Sequence, residues 1–137
     1  MANIDFYTSA FSDNYRLAKS KILIYPSDGT YNIIRLPKYA FVKDVWLLVS
    51  TASDVTPDVC TVGWLGNGET AVTNGFITTD VANPTKTGLK RAQSDTAVTF
   101  EGKYFSDATG VITFTYEAGS ASTLGVYRVF CAYTVIH

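Results

Sequence analysis

Apolar residues occur in short runs along the chain, and polar turns separate these runs at intervals of about ten residues. The most apolar run covers residues 41–49 and follows a Leu36-Pro37 step. Other strand-like runs cover residues 21–25, 31–36, 59–65, 96–100, 111–117 and 125–136. Almost no stretch has the 3.6-residue period of a helix, so the pattern predicts an all-β protein.

The run at residues 41–50 is apolar on both sides of the predicted strand. Side chains alternate between the two faces of a strand. One face would carry Phe41, Lys43, Val45, Leu47 and Val49, and the other Val42, Asp44, Trp46, Leu48 and Ser50. We expect an opposing sheet to cover one face, and the N-terminal segment or another subunit to cover the other. If the second face is bare in a monomer, it marks an assembly surface.

The remaining runs predict how the strands are connected. Residues 21–25 and 31–36 flank a Pro-Ser-Asp-Gly turn and could form a hairpin. Residues 111–117 alternate, with Ile112, Phe114 and Tyr116 inward. Residues 125–136 predict a long central strand. Residues 70–95 have little pattern and predict a long connection with a functional or interfacial role.

These elements predict a single domain with an N-terminal extension. Residues 1–20 form an arm or an irregular first strand, with a short helix from Ser12 or Asp13 to Lys19 as the alternative. Residues 21–137 form an antiparallel β-sandwich of about eight strands. Loops of such unequal length favour a jelly roll or another Greek-key sandwich over a simple meander.

Composition and charge narrow the classes of partner. Of the 137 residues, 47% are hydrophobic and only 17% are charged, which suggests that a partner covers some of the surface. The net charge is -1 and no basic cluster occurs, which argues against nucleic-acid binding. No secretory signal and no apolar run near the ~20 residues of a membrane span is found, so we predict synthesis in a cytosol and no membrane partner.

The sequence offers little for catalysis or metal binding. The single histidine is His137, so a hydrolase triad is not expected. Most acids fall in turns; Asp44 and Glu101 lie beside predicted strands and should be solvated or paired with Lys or Arg. Asp54 and Asp58 could contribute to a calcium site, but ordinary loop acids are the better interpretation. We therefore predict no enzyme, no cofactor and no catalytic, cofactor-binding or metal-binding residue.

The aromatic residues and the cysteines allow two further interpretations, a carbohydrate-binding site and a disulfide. An exposed Trp or Tyr beside Asn and Asp would suit a carbohydrate-binding module, although burial in the core is favoured for Trp46 and Trp64. Tyr104, Tyr116 and Tyr127 are similar cases. The two cysteines, Cys60 and Cys131, are predicted to be buried small apolar residues, with a disulfide as the less favoured alternative.

Several motifs follow one another along the chain: the Leu-Pro block with its apolar strand at residues 33–52, Thr61-Val62-Gly63, Gly66-Asn67-Gly68, the strand Gly110 to Phe114, and Gly125, Arg128, Val129 and Tyr133 in the final strand. Their order resembles that of small β-sandwich virion structural proteins of tailed bacteriophages, of the capsid decoration or cement type. Lys38-Tyr39-Ala40 stands where these proteins usually have Gly-Ala, which predicts an altered local turn.

This resemblance implies a function in assembly. It implies a non-enzymatic cement protein that bridges and stabilises shell subunits, with the major capsid protein or other virion proteins as partners. It also implies a homo-oligomer, with a trimer favoured, located in the virion after synthesis in the host cytoplasm. A head-fibre base, a tail component and a carbohydrate-binding module stay open as alternatives.

Overall fold

A computed structural model describes residues 4, 15–24, 26–92, 100–118 and 123–137. Within these residues the chain forms ten strands and one short helix. The strands are β1 (Arg16–Lys19), β2 (Leu23–Ile24), β3 (Gly29–Arg35), β4 (Ala40–Thr51), β5 (Val59–Gly66), β6 (Glu69–Ile77), β7 (Gly88–Arg91), β8 (Lys103–Phe105), β9 (Val111–Glu117) and β10 (Val126–Val135). The helix α1 (Thr79–Ala82) lies between β6 and β7.

The strands form two antiparallel sheets, as predicted for a β-sandwich. The six-stranded sheet has the order β1-β10-β4-β7, with β2 also paired to β10 and β8 also paired to β4. The four-stranded sheet has the order β3-β9-β5-β6. Since β10 pairs with β4 along its whole length, β1 and β2 share its other edge, and β7 and β8 likewise share the outer edge of β4. The ten strands therefore fill eight positions.

The core lies between the two sheets and is built from the inward side of each strand. The six-stranded sheet contributes completely buried residues from its two central strands, among them Val45, Leu47 and Val129. The four-stranded sheet contributes Ile112 and Phe114. The long strands at residues 41–50 and 125–136 are confirmed as central, because β4 and β10 pair with each other in the middle of the larger sheet.

A β-bulge in β4 changes which residues face the core. Opposite the bulge the register passes from Ala132↔Asp44 to Tyr133↔Val42, so Lys43 is the extra residue. Val42 and Val45 are both completely buried although they are three positions apart. Strict alternation across residues 41–50 was therefore wrong: an added residue shifts the faces on one side of a bulge relative to the other.

The predicted hairpin of residues 21–25 and 31–36 is also wrong. The strand β2 pairs with β10 in the six-stranded sheet, whereas β3 pairs with β9 in the four-stranded sheet. The turn between them thus carries the chain from one sheet to the other. A turn signal records that the chain changes direction, but it does not specify the next pairing partner.

Residues 70–95 contain more regular structure than predicted. This segment holds most of β6, the helix α1 and β7. The strand β6 lies at the edge of its sheet and exposes Thr70, Ala71, Thr73 and Asn74, so it lacks an alternating apolar pattern. Edge strands that meet water on both faces are poorly marked in a sequence.

Two other predictions concern segments that lie mostly outside the described residues. Most of the predicted arm at residues 1–20 lies outside them, and its described end forms β1 rather than the last turn of a helix. The predicted strand at residues 96–100 also lies outside them, except for Phe100, which is not in a strand.

The turn after Leu36-Pro37 has a left-handed residue at its end. Tyr39 has φ 65°, a conformation that favours glycine. Its ring meets the His137 ring edge-on, with 5.4 Å between centroids, and its carbonyl accepts a hydrogen bond from the Ile136 amide at 2.8 Å. Contacts with the end of the chain therefore hold the turn.

Candidate assembly surface

The outer side of the six-stranded sheet carries an open, apolar depression. It is lined by Leu17 of β1, Trp46 and Leu48 of β4, Leu89 of β7 and Phe130 of β10, and we call these five residues the apolar face. Leu17 and Leu89 are 65% and 60% exposed, whereas the other three are partly buried. Four strands that are distant in sequence thus contribute to one surface.

Strand register explains why these side chains meet. Trp46 lies opposite Phe130, and Leu48 lies opposite Leu89 across the other edge of β4. Directly opposed residues on one face of an antiparallel pair have Cβ atoms about 5 Å apart, close enough for large side chains to pack. On the inner side of the same strand, the neighbours Val45 and Leu47 are completely buried. The prediction that β4 is apolar on both faces is therefore correct beyond the bulge.

Sequence reasoning found only part of this surface. One face of residues 41–49 was predicted as a candidate assembly surface without a choice between the two faces, and the structure shows that it is the face with Trp46 and Leu48. Leu17, Leu89 and Phe130 were missed, because they come from β1, β7 and β10. The apolar character of both faces of residues 125–136 was a signal for Phe130. No pattern in the short strands β1 and β7 marked Leu17 or Leu89.

Basic side chains surround the apolar face. Lys19 lies opposite Phe130 across the β1–β10 pair, and Arg128 lies opposite Leu48. The Arg128 guanidinium is 5.8 Å from the centroid of the Phe130 ring, and its Nε donates to the Ser20 carbonyl at 2.8 Å. A cation over an aromatic face is attracted by the ring quadrupole. The cation is thereby held beside the apolar residues.

One acid also lies at this surface, and it is buried and paired. Asp44 sits at the bulge and is only 4% exposed. Its Oδ2 accepts hydrogen bonds from Nη2 and Nε of Arg91 at 2.6 and 2.7 Å, while Oδ1 accepts from the Val45 amide at 2.9 Å. The prediction that Asp44 pairs with Lys or Arg is confirmed. The carboxylate stabilises the bulge and joins β4 to β7.

The two tryptophans occupy different environments. Trp64 packs against the core, with its ring 5.0 Å from that of Phe76 and below the Lys103 ammonium, whereas Trp46 lies on the outer face. The preference for a core position is thus correct for Trp64 and wrong for Trp46. The tyrosines also divide, because Tyr116 and Tyr127 are buried while Tyr104 is 39% exposed.

Asp54, one of the two loop acids considered for calcium, acts as a hydrogen-bond acceptor within the protein. The Asp54 carboxylate accepts from the Thr123 hydroxyl at 2.6 Å and from the Thr123 and Leu124 amides. Within the described part of the chain, no group of three or more His, Cys, Asp or Glu could hold a metal ion. None of the described helices has the length and apolar character needed to cross a membrane.

The two cysteines are free and buried, on β5 and β10. Desolvation by burial raises the pKa of both thiols to about 12, so the reactive thiolate is scarce at neutral pH. Their burial as small apolar residues is confirmed, and they make no disulfide in this structure.

A polar cluster between the sheets was missed by sequence reasoning. The Lys103 ammonium lies 2.8 Å from both oxygens of Glu69, and the Asn67 side chain accepts a hydrogen bond from the Ser106 amide at 2.7 Å. The bond from Lys103 is the main cause of a lowered pKa at Glu69. These contacts connect the β5–β6 turn to β8, so we assign a structural role to this cluster.

Comparison with known proteins finds similarity in fold. No family model and no curated protein matches the chain. A chain of the acidic stable capsid structure of Helicobacter pylori bacteriophage KHP30 is similar, with a TM-score of 0.63, 20% identity, and coverage of 89% of this chain and 88% of that chain. A chain of the cyanophage Pam1 capsid asymmetric unit has a TM-score of 0.64 and 14% identity, with 98% and 94% covered. The protein therefore shares its fold, over nearly its whole length, with chains found in the capsids of two phages.

Proposed function

We propose that this chain is a non-enzymatic structural protein of a tailed-phage virion, and that it acts as a capsid cement or decoration protein. The fold likeness to chains in two phage capsids supports a place in the shell. The observation that carries the proposal is the apolar face, where leucine and aromatic side chains remain accessible on a regular sheet. Contiguous exposed apolar patches are typical of protein interaction sites.

The proposed action requires no chemistry. Each subunit places the apolar face on a shell protein, and Trp46 and Phe130 provide large apolar side chains of the kind that dominate binding energy in interfaces. We infer further that copies join as a cyclic oligomer, with three subunits favoured, so that one assembly bridges several shell proteins. Many weak contacts then combine through multivalency. In topology, the eight-position strand order supports a jelly roll built from two Greek keys.

A rebinding experiment tests this function. Particles of the phage that encodes the chain are produced without it, and purified protein is added back. We expect saturable binding and a higher temperature of genome release. Leu48→Asp should abolish both, whereas Asn32→Asp, on the exposed side of β3 in the other sheet, should bind like the wild type. Failure of the wild-type protein to bind particles, with the fold intact by circular dichroism, would reject the function.

The alternatives make different predictions. If the chain belongs to a head fibre or a tail, labelled protein will appear at one vertex or along the tail in electron micrographs rather than across the shell. A carbohydrate-binding module would need polar groups that hydrogen-bond sugar hydroxyls beside the partly buried Trp46. The lining of the depression contains none, so we expect no hits on a glycan array.

A further inference from the structure

The charge of the six-stranded sheet is strongly one-sided. Its strands contain a single acid, Asp44, which is buried and paired with Arg91. The same strands contain seven basic residues, Arg16, Lys19, Lys43, Lys90, Arg91, Lys103 and Arg128. The strands of the four-stranded sheet contain one basic residue, Arg35, and two acids, Glu69 and Glu117. The chain as a whole has a net charge of -1, so the asymmetry belongs to this sheet.

Only some of these basic groups can meet a partner at the apolar face, because Lys90 lies opposite the buried Leu47 and Lys103 is bound to Glu69 of the other sheet. Lys19 and Lys43 are exposed, with the Lys43 ammonium 5.0 Å from the centroid of the Tyr15 ring, and the Arg91 side chain is 54% exposed. Lys19 borders Phe130, and Arg91 lies opposite Trp46. Interfaces commonly have an apolar centre and a polar rim. The apolar face supplies such a centre. Because Asp44 neutralises Arg91, the net positive charge of its rim comes from Lys19, Lys43 and Arg128.

We infer that the occupant of this face is a protein surface with an apolar centre ringed by carboxylates. The inference rests on the proposed function, in which that surface belongs to a shell protein. A second copy joined by a two-fold axis fits poorly, because it would place the same cations of both copies against each other. Contacts between copies in the proposed oligomer then use other surfaces.

An anionic apolar dye tests the inference without a shell. The probe is 8-anilinonaphthalene-1-sulfonate, which combines aromatic rings with one negative charge, and Nile red is the neutral comparison. Binding is measured by dye fluorescence and by energy transfer from tryptophan. We expect saturable binding of the anionic dye, with energy transfer reduced in Trp46→Phe to the part that Trp64 contributes. Leu48→Asp should abolish binding.

Charge variants separate the basic rim from the apolar centre. In the double variant Lys19→Glu/Lys43→Glu, the dissociation constant of the anionic dye should rise about tenfold, because two favourable charges become unfavourable. Nile red should bind this variant and the wild type equally. Raising the salt concentration should weaken only the anionic dye. The matched control is Lys38→Glu/Lys86→Glu, which changes two exposed lysines outside the strands of this sheet and should leave both dyes unaffected.

Several outcomes overturn the inference. The first is that neither dye binds. The second is that the double variant and the wild type bind the anionic dye with equal affinity. The third is that sedimentation shows a dimer that Leu48→Asp dissociates. Particle rebinding is measured in parallel with the same variants. If the wild type binds particles and the double variant binds equally well, the acidic partner is rejected while the virion function stands. If the dye results hold but the wild type does not bind particles, the virion function is rejected.

Discussion

Two neighbouring leucines of β4 allow a direct test of which face of this strand is turned to the core and which is turned outward. Leu47 is completely buried between the sheets, whereas Leu48 lies on the apolar face and is partly buried. Leu47→Ala removes three buried carbons, a transfer loss of roughly 2.4 kcal/mol at ~0.8 kcal/mol for each carbon. The cavity that remains raises the expected loss in free energy of unfolding to about 3–4 kcal/mol.

Leu48→Ala should cost much less stability. The outer side of Leu48 is open, so truncation leaves no enclosed cavity. Only part of the free energy of burying the side chain is lost, about 1–1.5 kcal/mol. At ~3 °C per kcal/mol for a domain of this size, Leu47→Ala should lower the melting temperature by about 10 °C and Leu48→Ala by about 4 °C. In particle rebinding the order should reverse, with Leu48→Ala the weaker binder.

Urea denaturation followed by far-UV circular dichroism measures both losses. The experiment is run at two protein concentrations, since self-association would add concentration-dependent stability. Equal m-values for the variants and the wild type would show that stability alone has changed. Equal losses for the two leucines, or a loss below about 1 kcal/mol for Leu47→Ala, would refute the assignment of faces.

Three further outcomes are expected. Val42→Ala and Val45→Ala should each lower the free energy of unfolding by about 2 kcal/mol in urea denaturation, because the bulge turns both side chains inward; a loss at only one would contradict the bulge. The two buried cysteines should react with Ellman's reagent at pH 8 only after unfolding, and rapid labelling of folded protein would contradict their burial. Because Lys103 lowers the pKa of Glu69, the stabilisation that Glu69 provides is present above its unfolded pKa and is lost as the pH falls through the folded pKa. Glu69→Gln should therefore reduce the difference in the free energy of unfolding between neutral and acidic solution. If urea denaturation shows the same loss of stability on acidification for the variant and the wild type, Glu69 does not stabilise the protein through Lys103.

Local patterns predicted the strands that build the core. In β5 and β9, apolar residues recur with the period of a strand, whereas β10 is a long run that is apolar on both faces. Polar turns bound these strands, so their existence and approximate limits could be predicted from the chain. The Leu-Pro block likewise marked the start of β4. Edge strands such as β6 and β7 were not predicted, because exposure to water on both sides removes the pattern.

The pattern of apolar runs alone predicts an antiparallel β-sandwich with more apolar strand surface than one core can bury. Which part of that surface stays outside depends on how the strands pair. The reason is that an isolated strand can present either side to a core. Pairing of β4 with β7, about 40 residues away along the chain, and with β10, about 75–95 residues away, selects the side, and the bulge at Lys43 then shifts it. Leu17, Leu89 and Phe130 become one surface with Trp46 and Leu48 only after those pairings form.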